Sequence, residues 1–158
     1  MIQKKTISKN GSAVLNDMTR IITWDNRYSV EIKKLDDQHK ELINAVNELV
    51  QYCLADSTEV DEYFLKTIQA SSSFAKEHFA AEERLMEAVG FPERKEHERQ
   101  HAAFAKALLA LVKEFEEGRR TVSSDLACFF SAWIIGHIKI SDKKYAEYIH
   151  SRNISFTA

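Results

Sequence analysis

The sequence predicts an all-α protein, an antiparallel up-down-up-down four-helix bundle with an N-terminal extension. Three observations carry that expectation. Only four Gly and one Pro occur in 158 residues, too few turn formers for a many-turned β-sandwich or barrel. Apolar residues fall in four long stretches at the spacing of one helix face. The breaks between those stretches are short, and short connections join antiparallel neighbours. With 44% hydrophobic and 29% charged residues, long disorder is disfavoured and one core is attainable without staples.

The first helix is expected over 35–54, with Leu42, Ile43, Val46, Leu49, Val50 and Cys53 on one face and Asp36 or Asp37 as N-cap. Residues 55–58 break it. The second spans 59–89 with the stripe Val60, Phe64, Ile68, Ala75, Phe79 and Met86. Thr58 and Asp61 stand at capping-box spacing before it, and Gly90 and Pro92 end it. The third covers 93–117, lined by Phe104, Leu108, Leu111, Val112 and Phe115, and Gly118 stops it. The fourth begins near Ser124 and carries Leu126, Phe129, Phe130, Trp133, Ile134 and Ile140. The bundle domain is therefore placed at 21–150. Residues 1–20 form an irregular extension, in which Met18 offers an alternative start, and 151–158 form a polar tail. No internal repeat or low-complexity segment is present.

Charge and cysteine usage narrow the function class. Twenty-two Lys and Arg oppose 24 Asp and Glu, a net charge of −2 that argues against nucleic acid or an anionic membrane as partner. The basic N-terminus lacks the apolar stretch of a signal peptide, and the longest apolar run, 126–136, is too short to span a bilayer. Cys53 and Cys128 form no CxxC and read as reduced, buried thiols. The expected location is cytoplasmic.

The histidines carry the functional information. His39, His78, His97, His101 and His137 lie inside the predicted helices, at least one on each. Any one alone would be read as a surface or hydrogen-bonded core residue. Together they form a pattern. His78 and Glu82 are four apart, about 40° around a helix, so both point the same way. His97 and His101 repeat that spacing. His39 is followed by Leu42 and Ile43, Phe74 and Phe79 flank His78, Phe104 follows His101, and Trp133 precedes His137 by one turn. These polar groups thus share faces with large apolar residues. Burying five imidazoles and two carboxylates unpaired is very costly, and metal coordination satisfies all of them at once. Asp142 lies five residues after His137, about 140° away on a regular helix. Both can face one centre only if the helix departs from α geometry around 139–142.

His97-Glu98-Arg99-Gln100-His101 also reads as HExxH, the zinc-peptidase motif in which the Glu is the general base. The longer form needs Gly and a third His downstream, where this chain has Phe104 and Ala107. The motif leaves His39, His78, Glu82, His137 and Asp142 unexplained, and Glu98 beside Arg99 and Gln100 reads as part of a solvated face.

From about Ile21 to Ile149 the chain resembles the hemerythrin family, the bacteriohemerythrins in particular. The segment TWDNRYSVEIKKLDDQH, ending at His39, resembles the family's start. HFAAE at 78–82 matches H-x3-E, HERQH at 97–101 matches H-x3-H, and WIIGHIKISDKKY at 133–145 matches W-x3-H-x4-D-x2-Y. The resemblance implies a non-haem di-iron centre, oxo- or hydroxo-bridged. His97, His101 and His137 would hold one iron, His39 and His78 the other, and Glu82 and Asp142 would bridge them.

That ligand set would fill eleven of the twelve positions of two octahedra once a bridging oxygen is included, leaving one open on the two-His iron. The implied activity is reversible O2 binding, for storage, delivery or sensing, with O2 held as hydroperoxide. Two ferrous ions with two carboxylates and a hydroxo carry +1. Two ferric ions with the carboxylates, an oxo and a hydroperoxide again carry +1. Carboxylate-rich di-iron sites suit oxygenases better than five imidazoles do. Leu42, Ile43, Phe79, Phe104 and Trp133 are candidate walls that exclude water from the O2 pocket. Alternatives on the same scaffold are a di-iron oxidase or peroxidase and a nitric-oxide-responsive or iron-sulfur repair protein. No protein acceptor of oxygen or signal is identifiable. His150 is placed in the solvated tail, Tyr28, Tyr145 and Tyr148 among packing and hydrogen-bonding groups, and Lys33, Lys34 and Lys40 on an ordinary charged face. Glu83, one residue out of phase with His78, is not expected to be a ligand.

Overall fold

The computed structural model describes residues 22–54, 60–118 and 123–155. Its helices are α1 (Lys33–Leu54), α2 (Val60–Val89), α3 (Arg94–Glu116), α4 (Ser123–His137) and α5 (Lys143–Ser151). A π-helical turn, Ile138–Asp142, joins α4 to α5 without a break, so the fourth rod of the bundle is one continuous helix of two parts. Chain neighbours pack side by side, and α4 closes the ring against α1. This is the antiparallel four-helix bundle, and no strand occurs among the described residues.

The boundaries follow from local chemistry. Gly90 ends α2 in the left-handed conformation (φ +66°), which costs glycine nothing because it has no Cβ. Phe91 N–H then donates to Met86 C=O and Gly90 N–H to Glu87 C=O, satisfying carbonyls that the helix end leaves orphaned. Phe91 and Met86 are both buried in one apolar cluster, completing that stop. Gly118 (φ +63°) ends α3 in the same conformation. Asn153, a residue that tolerates φ +51°, plays this part after α5, with Ile154 N–H donating to Ile149 C=O.

Several expectations are corrected in detail. Helix α1 begins at Lys33, so Asp36 and Asp37 lie within it rather than capping it. Asp36 instead accepts from Ser29 Oγ (2.6 Å) and Val30 N–H (2.7 Å), tying the preceding segment down, while Asp37 pairs with Lys33 and Lys40. Ile140 is 67% exposed, because it follows the buried Ile138 by two residues and so stands on the far side of the helix. His150 belongs to α5, its Nε2 3.3 Å from the Val30 carbonyl. Cys128 is half-buried rather than buried. Residues 1–20, Thr58 and the side chains of Cys53 and Asp61 lie outside the description.

The core has two apolar parts. One gathers Leu42, Val46, Phe64, Ile68, Phe104, Leu108, Phe130 and Ile134. The other gathers Val30, Leu35, Leu85, Met86, Tyr145, Ala146 and Ile149. His39, Glu82 and Asp142 fall between residues of these two clusters along their own helices, each wholly buried. A polar layer is therefore held across the bundle, walled at both ends by apolar packing. Each large side chain so buried contributes roughly 1.5–3 kcal/mol relative to exposure, which offsets the cost of desolvating that layer.

Candidate metal centre

Helix spacing places each functional side chain. His39 comes from α1, His78 and Glu82 from α2, and His97 and His101 from α3. His137 closes α4, and Asp142 closes the π turn. In a π turn the hydrogen bonds reach from i to i+5, adding a residue to the turn and bringing His137 and Asp142 to the same side. The departure from α geometry expected at 139–142 is this turn. All seven residues are buried, none more than 7% exposed.

Their donor atoms fall into two groups, Glu82 with His97, His101 and His137, and Glu82 and Asp142 with His39 and His78. The carboxylates divide their oxygens between the groups. Glu82 Oε2 lies 3.2 Å from His101 Nε2 and 3.5 Å from His97 Nε2, while Oε1 lies 3.4 Å from His78 Nε2 and 3.6 Å from His39 Nε2. Asp142 Oδ1 lies 3.1 Å from His137 Nε2 and 3.3 Å from His97 Nε2, while Oδ2 lies 3.3 Å from His39 Nε2. One group thus has three nitrogens and two oxygens facing inward. The other has two nitrogens and two oxygens.

Two tests ask whether these atoms suit a metal. The first is satisfaction. Both nitrogens of His39, Glu82 Oε2 and both oxygens of Asp142 are buried without a directed hydrogen-bond partner among the described residues, although charged neighbours stand close by. Orphans of this kind cost several kcal/mol unless something else satisfies them. The second is spacing. His137 Nε2 stands 3.0 Å from both His101 Nε2 and His97 Nε2. Nitrogens about 2.1 Å from a shared metal are about 3.0 Å apart at neighbouring corners of an octahedron and about 3.4 Å apart on a tetrahedron. The residues fit a metal ion held at ordinary nitrogen and oxygen distances.

Outer contacts orient the rings. His101 Nδ1 lies 2.9 Å from Glu83 Oε1, and His78 Nδ1 lies 3.1 Å from Gln38 Oε1. Tyr145, fully buried, donates its hydroxyl to Glu82 Oε1 at 2.7 Å. Phe79 stacks on His101 at 3.9 Å and Trp133 on His137 at 4.2 Å, with Phe104 stacked behind Trp133. These three aromatics stand mainly against the three-imidazole group. Leu42 and Ile43 are buried in the core one turn beyond His39.

The electrostatics are those of a compensated cluster. Burial pulls the His39 pKa down, but Asp142 and Glu82 together outweigh it and raise it to about 9. His97 behaves likewise, reaching about 9. For His137 burial prevails, and its pKa falls to about 4. Burial works to raise the Glu82 carboxyl, yet His78, His101 and His39 hold it well below its usual range. Asp142 is also lowered, against burial and Glu82, by His39, His97 and His137. Burial next to both carboxylates pushes the Tyr145 phenol far up, so it stays a donor.

The sequence model of the Hemerythrin HHE cation binding domain matches residues 30–149, which span every one of these side chains. The chain belongs to the hemerythrin family. Among its curated relatives, the bacteriohemerythrin of Stenotrophomonas maltophilia is 29% identical over 82% of this chain and 82% of its own. A hemerythrin-like protein of Naegleria gruberi is 31% identical over 77% of this chain and 88% of its own. The myohemerythrin of Theromyzon tessulatum is 26% identical over the same shares. No helix among the described residues is long and apolar enough to cross a membrane.

Within this hemerythrin-family site, the HExxH motif splits. His97 and His101 face the cluster, while Glu98 is partly exposed and pairs with Arg94 at 3.4 Å. Sequence reading passed over two outer residues. Gln38 figured only within the segment ending at His39, and Glu83 was set aside as one residue out of phase with His78. The signal that finds them is a question of bookkeeping: which side chain accepts the outer N–H of each inward-facing imidazole.

Proposed function

We propose that this protein binds dioxygen reversibly at two non-haem iron ions, as an oxygen-binding protein rather than an enzyme. The observation that carries the reading is the division of each carboxylate between a three-imidazole and a two-imidazole group. His97, His101 and His137 would hold one ion and His39 and His78 the other, with Glu82 and Asp142 bridging. The two ions would supply a redox-active pair able to take up and release O2 on the His39–His78 half, where the chain offers one donor fewer. The remaining groups act through position. Tyr145 pins Glu82 Oε1, and the stacked rings of Phe79 and Trp133 hold His101 and His137 in one orientation. Leu42 and Ile43, one turn beyond His39, and Phe79, beside His78, would keep water from the His39–His78 half, while Phe104 and Trp133 shield the three-imidazole half. A cytoplasmic site of action agrees with two cysteines that form no framework.

The test is the visible spectrum of the reduced, iron-loaded protein before air, after air and after oxygen is removed. A band that appears with air and disappears on deoxygenation is expected. A permanently ferric spectrum, with steady consumption of an added reductant, would instead assign a di-iron oxidase or a nitric-oxide-linked role.

A further inference from the structure

We propose that the centre loads its two ions in order, the His97–His101–His137 half first, and that Glu83 sets the gap between the steps. The inference rests on the two-ion reading above. Two independent asymmetries point the same way. The first half presents three imidazole nitrogens and two carboxylate oxygens, the second half two of each. The outer partners also differ in charge. His101 Nδ1 meets the carboxylate of Glu83 at 2.9 Å, whereas His78 Nδ1 meets the neutral amide of Gln38 at 3.1 Å and His39 Nδ1 has no hydrogen-bond partner among the described residues. An anionic acceptor on the outer N–H makes an imidazole a stronger electron donor to a metal than a neutral one does. The second ion then meets carboxylates already half neutralised by the first.

Glu83 is a positioning residue, acting on the metal only through the His101 ring. Its side chain is 36% exposed, so its charge is not buried at a cost and an isosteric change there leaves the core intact.

The experiment is an anaerobic calorimetric titration of the full-length apo-protein with ferrous ion, repeated with cobalt(II) and its visible absorption. Two resolved steps reaching two ions per chain are expected. Glu83→Gln keeps an acceptor for the His101 N–H but removes its charge, so it weakens the first step by about tenfold, the low end of the effect of changing an outer partner, and leaves the second in place. Gln38→Glu strengthens the second step and narrows the gap. Far-ultraviolet circular dichroism of each variant confirms the bundle before titration. Two ions bound in one unresolved step by the wild type, or a Glu83→Gln effect confined to the second step or absent, would overturn the order while leaving the two-ion reading intact. A total other than two ions would sink that reading itself.

Discussion

Removing the metal should make this protein alkali-labile, and the size of the effect follows from the buried cluster. In the metal-free chain His39 and His97 each titrate near 9 rather than at the ordinary 6.5. A group whose folded pKa is raised stabilises the fold fully below its unfolded value. That stability is lost as pH climbs through the folded value. The window is therefore about pH 6.5 to 9. One pKa unit is about 1.4 kcal/mol, so each imidazolium contributes about 3 kcal/mol. Both lean on Glu82 and Asp142, so the two contributions are less than additive. Even one is a large share of the 5–15 kcal/mol that typically holds a domain folded. Metal binding needs neutral imidazoles and displaces those protons, so the loaded protein should lose the alkaline weakness. The assay is urea unfolding followed by circular dichroism at pH 6.5, 7.5, 8.5 and 9, with and without metal. Apo-protein stability should fall by several kcal/mol across the window while the loaded protein stays level or gains. An apo-protein whose stability is flat or rises over that range would refute the charge-compensated cluster described above.

Further outcomes are expected. Glu82→Gln removes an anion shared by both halves and should leave the protein nearly without metal by elemental analysis; unchanged content would remove Glu82 from the ligand set. Glu98→Ala should retain full metal content and the same O2-dependent spectrum, since Glu98 faces Arg94 rather than the cluster, whereas a zinc peptidase would lose its base. Gly90→Ala meets no atom within 4 Å at its new Cβ, so only the left-handed backbone resists it. It should cost about 1–2 kcal/mol in denaturant unfolding, with metal content unaffected.

Much of this architecture is written in local pattern. Four stretches of helical period, two left-handed glycine stops and the four-residue spacings of His78 with Glu82 and of His97 with His101 are properties of a helix in isolation. So is the five-residue spacing of His137 and Asp142, whose misfit to an α-helix called for a departure from regular geometry, and the structure supplies it as the π turn at Ile138–Asp142. Periodicity suffices there because each such relation spans a turn or two of one rod. Relations between rods are different, since they depend on helix register and rotation, which only packing decides. Tertiary structure alone turned Glu82 Oε1 toward His78 and Oε2 toward His101, set Glu83 against the next helix rather than its own, and brought Tyr145 onto Glu82 across 63 residues of chain. It also moved Asp36 from a presumed cap to an anchor for Ser29 and Val30. The residue types that can hold a metal are legible along the chain. The direction in which each of their atoms points is decided where four helices meet.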